Sequence, residues 1–233
     1  MPAAVRNFLL SPLLREPGAG SPPTASTLCD PAPSFPSLVG KAGWSKLPAA
    51  VQERFAAAPS LGTSKTYTGV MGKMTSTWLG KVFAFLCTPL GRPLPGPDGV
   101  DIPSTVKIYQ MPDGRGVMWE RQYVYPGKSP VMVKSFKKLH ARHGLLEYTR
   151  AGLGMFLNIY EEKETLVFES TGYFIEIANR FLRIPEFMTP GVAIVRHTDL
   201  GAGNFEFALT FDHPRFGRLF NQVGTFRLEG DKQ

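Results

Sequence analysis

Between Ser104 and Leu228 the chain alternates apolar and polar residues in short runs punctuated by turn residues. The runs Thr105–Met111, Gly116–Tyr125, Val131–Lys138, Leu145–Thr149, Gly154–Tyr160 and Thr165–Phe174 are separated by signals such as Pro112-Asp113-Gly114 and Pro126-Gly127. Alternation with period two, bounded by such residues, predicts antiparallel strands joined as hairpins. A partly helical insertion is expected from Ile175 to Pro190, after which strands resume at Val192–Thr198, Phe205–Phe211 and Val223–Leu228. About nine to ten strands with short connections predict a mainly β fold, an antiparallel barrel or strongly curved sheet, because a flat sheet of that width leaves long edges unprotected.

Upstream the period lengthens. Ser45 and Pro48 open a short helix in which Val51 and Phe55 fall one turn apart, and Thr66–Met71 reads as a first strand. A second helix, expected over Thr75–Cys87, carries Trp78, Leu79, Val82, Phe83 and Leu86 in a broad apolar stripe suited to plugging the concave side of the sheet. Residues 1–43 hold eight prolines among Ser, Gly and Ala and show no sustained period, the composition of a disordered tail. Order is therefore expected to begin near Trp44, with residues 44–233 forming one β-rich domain.

Composition narrows the function classes. Of the 233 residues 43% are apolar, and 17 Phe with 7 Tyr supply large side chains for a core, which excludes global disorder. The longest apolar tract, Val82–Cys87, is far too short for a spanning helix. The net charge of +7 fits either an anionic partner or plain solubility. Its densest cluster, Lys134, Lys137, Lys138, His140, Arg142 and His143, reads as a strand end and its turn, interleaved only by Phe136, so no nucleic-acid partner is expected. Cys29 and Cys87 are too few for a disulfide framework or a thiolate metal cage. A cytoplasmic location fits that count, with organellar targeting as the alternative because Arg6, Arg15 and two leucine pairs precede the first acid, Glu16. Nucleotide-binding glycine loops, zinc-protease helices and a serine nucleophile elbow are all missing from the sequence, so neither cofactor nor metal is called for.

Facing can be read residue by residue, since successive strand side chains point to opposite sides. Val131, Val133 and Ser135 share one side, and pairing across Pro126-Gly127 puts Trp119 and Arg121 on it, whereas Lys134 and Lys138 point to water. Arg121 is then an inward charge that either pairs with Glu147 or awaits an anionic ligand. His197 alternates with Ala193 and Val195, and is either a structural imidazole or a proton-transfer group. His213, before Pro214, is expected to bond the backbone of its turn.

The segments Trp119-Glu120-Arg121, Ser135, Gly144-Leu145-Leu146-Glu147, Pro185, Pro190, Phe207, Asp212-His213-Pro214, Gly217-Arg218-Leu219 and Gly224 resemble an uncharacterised bacterial domain family of unknown function. Leu47-Pro48-Ala49-Ala50-Val51 fits its beginning, and the resemblance covers residues 44–229. The family occurs alone or fused C-terminal to saccharopine-dehydrogenase-like or short-chain-dehydrogenase-like Rossmann proteins. The resemblance implies a shared fold and no established reaction. It lends His197 no role, because the family more often carries an acid there.

Three readings follow. The first is a small-molecule binding protein whose apolar pocket takes a lipid-like or polycyclic ligand, contacted by Arg121, Trp119 and Ser135. The second is a cofactor-independent enzyme of isomerase, cyclase or hydratase type, with His197, Glu147 and Tyr123 moving protons. The third is an accessory module that docks a dehydrogenase-like oxidoreductase partner.

Overall fold

A computed structural model describes residues 33–86, 88, 98–149, 152–178 and 180–230. The alternating runs form eleven antiparallel strands: β1 (Ser64–Ser76), β2 (Gly99–Gln110), β3 (Val117–Tyr123), β4 (Val131–His140), β5 (Gly144–Tyr148), β6 (Leu153–Glu162), β7 (Thr165–Ile177), β8 (Arg180–Ile184), β9 (Val192–Gly201), β10 (Asn204–His213) and β11 (Gly217–Leu228). Each of β1 to β7 pairs with the next, β7 pairs with β9, and β9 to β11 return to β1. Ten strands thus form a closed barrel with β8 outside it. Closure removes the free edges that a sheet of this width would expose.

The exclusion of β8 has a local cause. The register of β6 against β7 shifts between Phe156 and Leu157, which face Gly172 and Ser170, so Thr171 is an extra residue in β7. A bulge of this kind bends its strand. Before it, Leu166–Glu169 pair with β9; after it, Tyr173–Ile177 peel away to pair with β8. The segment expected to be partly helical is therefore mostly strand, with a single 3-10 turn at Glu186–Met188. Its residues Arg180–Ile184 complete a hairpin that sets the Phe181 ring 4.8 Å from that of His143, tilted by 59°.

At the junction of β1 with β11, the strands meet closely at Gly69. A Cβ there would lie 2.0 Å from the Thr225 carbonyl oxygen, so only glycine fits. The turn after β10 is fixed as expected from His213, whose Nδ1 accepts the Arg215 backbone N–H at 3.1 Å.

Ten strands enclose a bore wider than eight, which side chains alone can fill. Short helices close one end of it. Helices α1 (Phe35–Val39), α2 (Lys41–Trp44) and α3 (Ala49–Phe55) send Phe35, Val51 and Phe55 into the core. The Phe55 ring lies 5.7 Å from Phe35, 5.9 Å from Phe168 and 6.2 Å from Trp119. Structure thus begins before Trp44, within the segment expected to be a disordered tail. Pro36 stands in the first turn of α1, where its missing N–H costs nothing, so a residue that reads as a disorder signal starts a helix. The rest of that segment, residues 1–32, lies outside the described residues, as does Cys29.

The expected plug is partial: Phe83 lines the lumen while most of the apolar stripe stays outside. Thr75 and Ser76 remain in β1, paired with Asn221 and Phe220, and the helix, α4, spans Trp78–Leu86; Cys87 lies outside the described residues. Gly80 lets α4 lie against β11, since a Cβ there would meet the Leu219 carbonyl oxygen at 2.4 Å. The opposite face, Trp78, Val82, Phe85 and Leu86, is exposed, with Trp78 and Phe85 each 76% accessible. None of the helices among the described residues is long and apolar enough to cross a membrane.

Candidate ligand-binding site

Inside the barrel the β3–β4 register pairs Trp119 with Ser135 and Arg121 with Val133, and the β4–β5 register pairs Lys137 with Glu147. Cross-strand partners share a face, so these side chains converge in the lumen. Arg121 Nη1 donates to Ser135 Oγ at 3.0 Å, and Ser135 Oγ donates to Glu147 Oε1 at 2.6 Å. Lys137 Nζ lies 3.0 Å from Glu147 Oε2 and 4.5 Å above the Trp119 ring. Arg121 Nη2 stands 3.8 Å from Glu147 Oε1, an electrostatic contact beyond hydrogen-bond reach. The cluster holds two cations and one carboxylate.

Arg121 and Phe207 divide the remaining space into two cavities. The larger, about 120 Å³, lies toward the end opposite the α1–α3 plug. Arg121, Ser135, Glu147, Tyr123 and Gln222 line its polar part, while Phe83, Met155, Leu209 and Phe211 are among its apolar walls. It reaches the surface beside Met188, which is exposed. Gln222 is 1% accessible, and among the described residues neither of its amide atoms makes a hydrogen bond of good geometry, although the Tyr123 phenol lies beside it. The smaller cavity, about 40 Å³, is bounded by Phe55, Trp119, His197, Phe205 and Arg54.

The residues singled out from the sequence are all inward, but they do not share one chamber. Arg121, Ser135, Glu147 and Tyr123 line the larger cavity; Trp119 and His197 line the smaller. His197 sits 4.9 Å from the Phe55 ring and 5.4 Å from Phe207, and its Nδ1 has no hydrogen-bond partner among the described residues. Lys137, 4% accessible, was missed as a site residue although it continues the parity of Val131, Val133 and Ser135.

Burial sets the protonation of this cluster. It lowers the Lys137 ammonium to about 8; Glu147 resists that shift and Arg121 adds to it. Burial also penalises the Glu147 carboxylate, but Lys137, Arg121 and Ser135 outweigh it and hold the carboxyl below its ordinary value. The Tyr123 phenol is raised by burial. Burial, then the charges of Arg54, Lys137 and Arg121, hold His197 well below the ordinary imidazole value, so its ring is neutral near neutral pH. Among the described residues no group of three or more His, Cys, Asp or Glu stands where it could hold a metal ion.

By fold and interior, this is a closed ten-stranded antiparallel barrel with a partly filled lumen and a buried polar cluster. Residues 47–226 match the family model described as a domain of unknown function (DUF4166), and since that is most of the chain, the protein belongs to this family. No curated protein and no solved structure matches it.

Proposed function

We propose that the barrel binds one small molecule with an apolar body in its larger cavity, oriented by Arg121. The observation that carries this reading is an apolar chamber that reaches the surface and has Arg121 and Gln222 on its walls, the first with spare donors and the second without a well-formed hydrogen bond. Buried polar groups in that condition are costly unless something meets them. The volume also limits the occupant. About 120 Å³ is near the roughly 150 Å³ of a cavity that admits benzene, and below the roughly 300–1,000 Å³ of pockets that enclose drug-sized ligands. A slender lipid-like molecule, inserting one end and leaving the other at the opening, fits better than a polycyclic one. Binding is favoured over acid–base catalysis because Glu147 is engaged on both oxygens, by Ser135 and by Lys137, and His197 faces the other cavity.

Native mass spectrometry of the protein purified from its own source tests this reading. The expected spectrum contains a species heavier than the chain by one small organic molecule, released on denaturation. A spectrum of bare chain only, together with no uptake of added amphiphiles, contradicts it.

A further inference from the structure

Resting on that reading, we infer that the ligand is a monocarboxylate amphiphile: its carboxylate binds Arg121 in the lumen and its apolar chain leaves past Phe83 and Met188. Three observations carry the inference.

The first is charge. Arg121 and Lys137 face a single carboxylate, and Glu147 is neutralised by Lys137 at 3.0 Å while Ser135 occupies its other oxygen. Arg121, 3.8 Å from that same carboxylate and 13% accessible at its side chain, brings a second positive charge that one carboxylate cannot balance, on a largely apolar wall. A single negative charge restores neutrality; a neutral ligand leaves the imbalance, and a cation worsens it.

The second is hydrogen-bonding geometry. A guanidinium offers five N–H donors in a planar fork, and among the described residues that of Arg121 uses one, to Ser135. A planar carboxylate is the acceptor that such a fork engages through two parallel bonds. Gln222, across the same cavity and without a well-formed hydrogen bond, supplies a further amide donor.

The third is the outlet. The chamber is too small for a long chain, and apolar side chains flank its opening: Phe83 on its wall, Met188 at its edge, and Phe187, 70% accessible, beside Met188 in sequence. A carboxylate bound at Arg121 therefore has apolar surface to follow outward, and Lys134, also on the cavity wall, is already paired with Glu120.

Isothermal titration of the full chain near neutral pH with dodecanoate, dodecanol and dodecylamine tests the inference. Dodecanoate is expected to bind roughly 10- to 100-fold more tightly than dodecanol, the range for a hydrogen-bonded charge partner, with dodecylamine weakest. In Arg121→Met the preference for dodecanoate over dodecanol is expected to vanish, while Lys137 and Glu147 still pair. The comparison of three ligands on the unaltered protein stands even if that variant fails to fold. Equal affinity for all three, or a preference for the amine, overturns the carboxylate assignment and leaves the cavity reading intact. Binding of none of them overturns both.

Discussion

Lys137 follows Val131, Val133 and Ser135 at intervals of two, so parity alone places its amine inside the barrel. Grouping it by charge with Lys134 and Lys138 hides this, because a lysine is rarely buried unless something pairs it, although its partner Glu147 stands just across the turn that joins β4 to β5. Arg121 was legible because the apolar Val131 and Val133 mark the buried side of its partner strand, and the register expected across Pro126-Gly127 is the one that forms. Two outcomes follow. Glu147→Gln leaves two buried cations without a counter-charge and is expected to lower stability by about 3–5 kcal/mol in chemical denaturation, with Lys137→Met added to it restoring part of the loss. Stability also depends on pH through Lys137. Its folded value of about 8 lies below the unfolded value of 10.5, so between them the unfolded chain holds the proton and the native protein does not. Unfolding free energy therefore rises across that window, by up to roughly 3 kcal/mol, and Lys137→Met is expected to flatten the rise.

At the scale of elements, helical period identifies an apolar face but does not say what it meets. Helix α3 is short, and only Val51 and Phe55 mark its inner face, yet it closes the barrel with α1. Helix α4 is apolar around most of its circumference, with Phe83 turned inward and Trp78 and Phe85 turned out, so the stripe that suggested a plug is largely solvent-facing. Substitutions separate the two roles. Phe55→Ala removes a ring packed on Phe35, Trp119 and Phe168 and is expected to cost about 3–5 kcal/mol, whereas Phe85→Ala is expected to stay within about 0.5 kcal/mol. Thermal denaturation of both variants reads the contrast. The β8 hairpin escaped the sequence because Arg180–Ile184 alternates poorly and Pro185 follows at once, while the bulge at Thr171 that frees β7 to pair with it leaves no compositional mark.

For the whole molecule, the strand count and the antiparallel class were readable because almost every connection is a short hairpin. Closure was less so: the β6–β7 turn is local, but the seam between β1 and β11 joins residues at opposite ends of the domain, and the close approach at Gly69 that permits it gives no periodic signal. The candidate site divides in the same way. Inward facing follows from alternation, whereas the volume of the chamber depends on ten-strand closure, on a plug at one end and on the position of Arg121 between two spaces, none of which a strand pattern encodes. On the proposed reading this lumen is a receptor in which the spare donors of Arg121 select the head of the ligand. A crystal structure of the protein with dodecanoate tests it most directly. The predicted density places the carboxylate within hydrogen-bond distance of Arg121, with the chain emerging beside Met188. Density confined to the outer surface, with Arg121 turned onto Glu147 and the chamber closed, would contradict it.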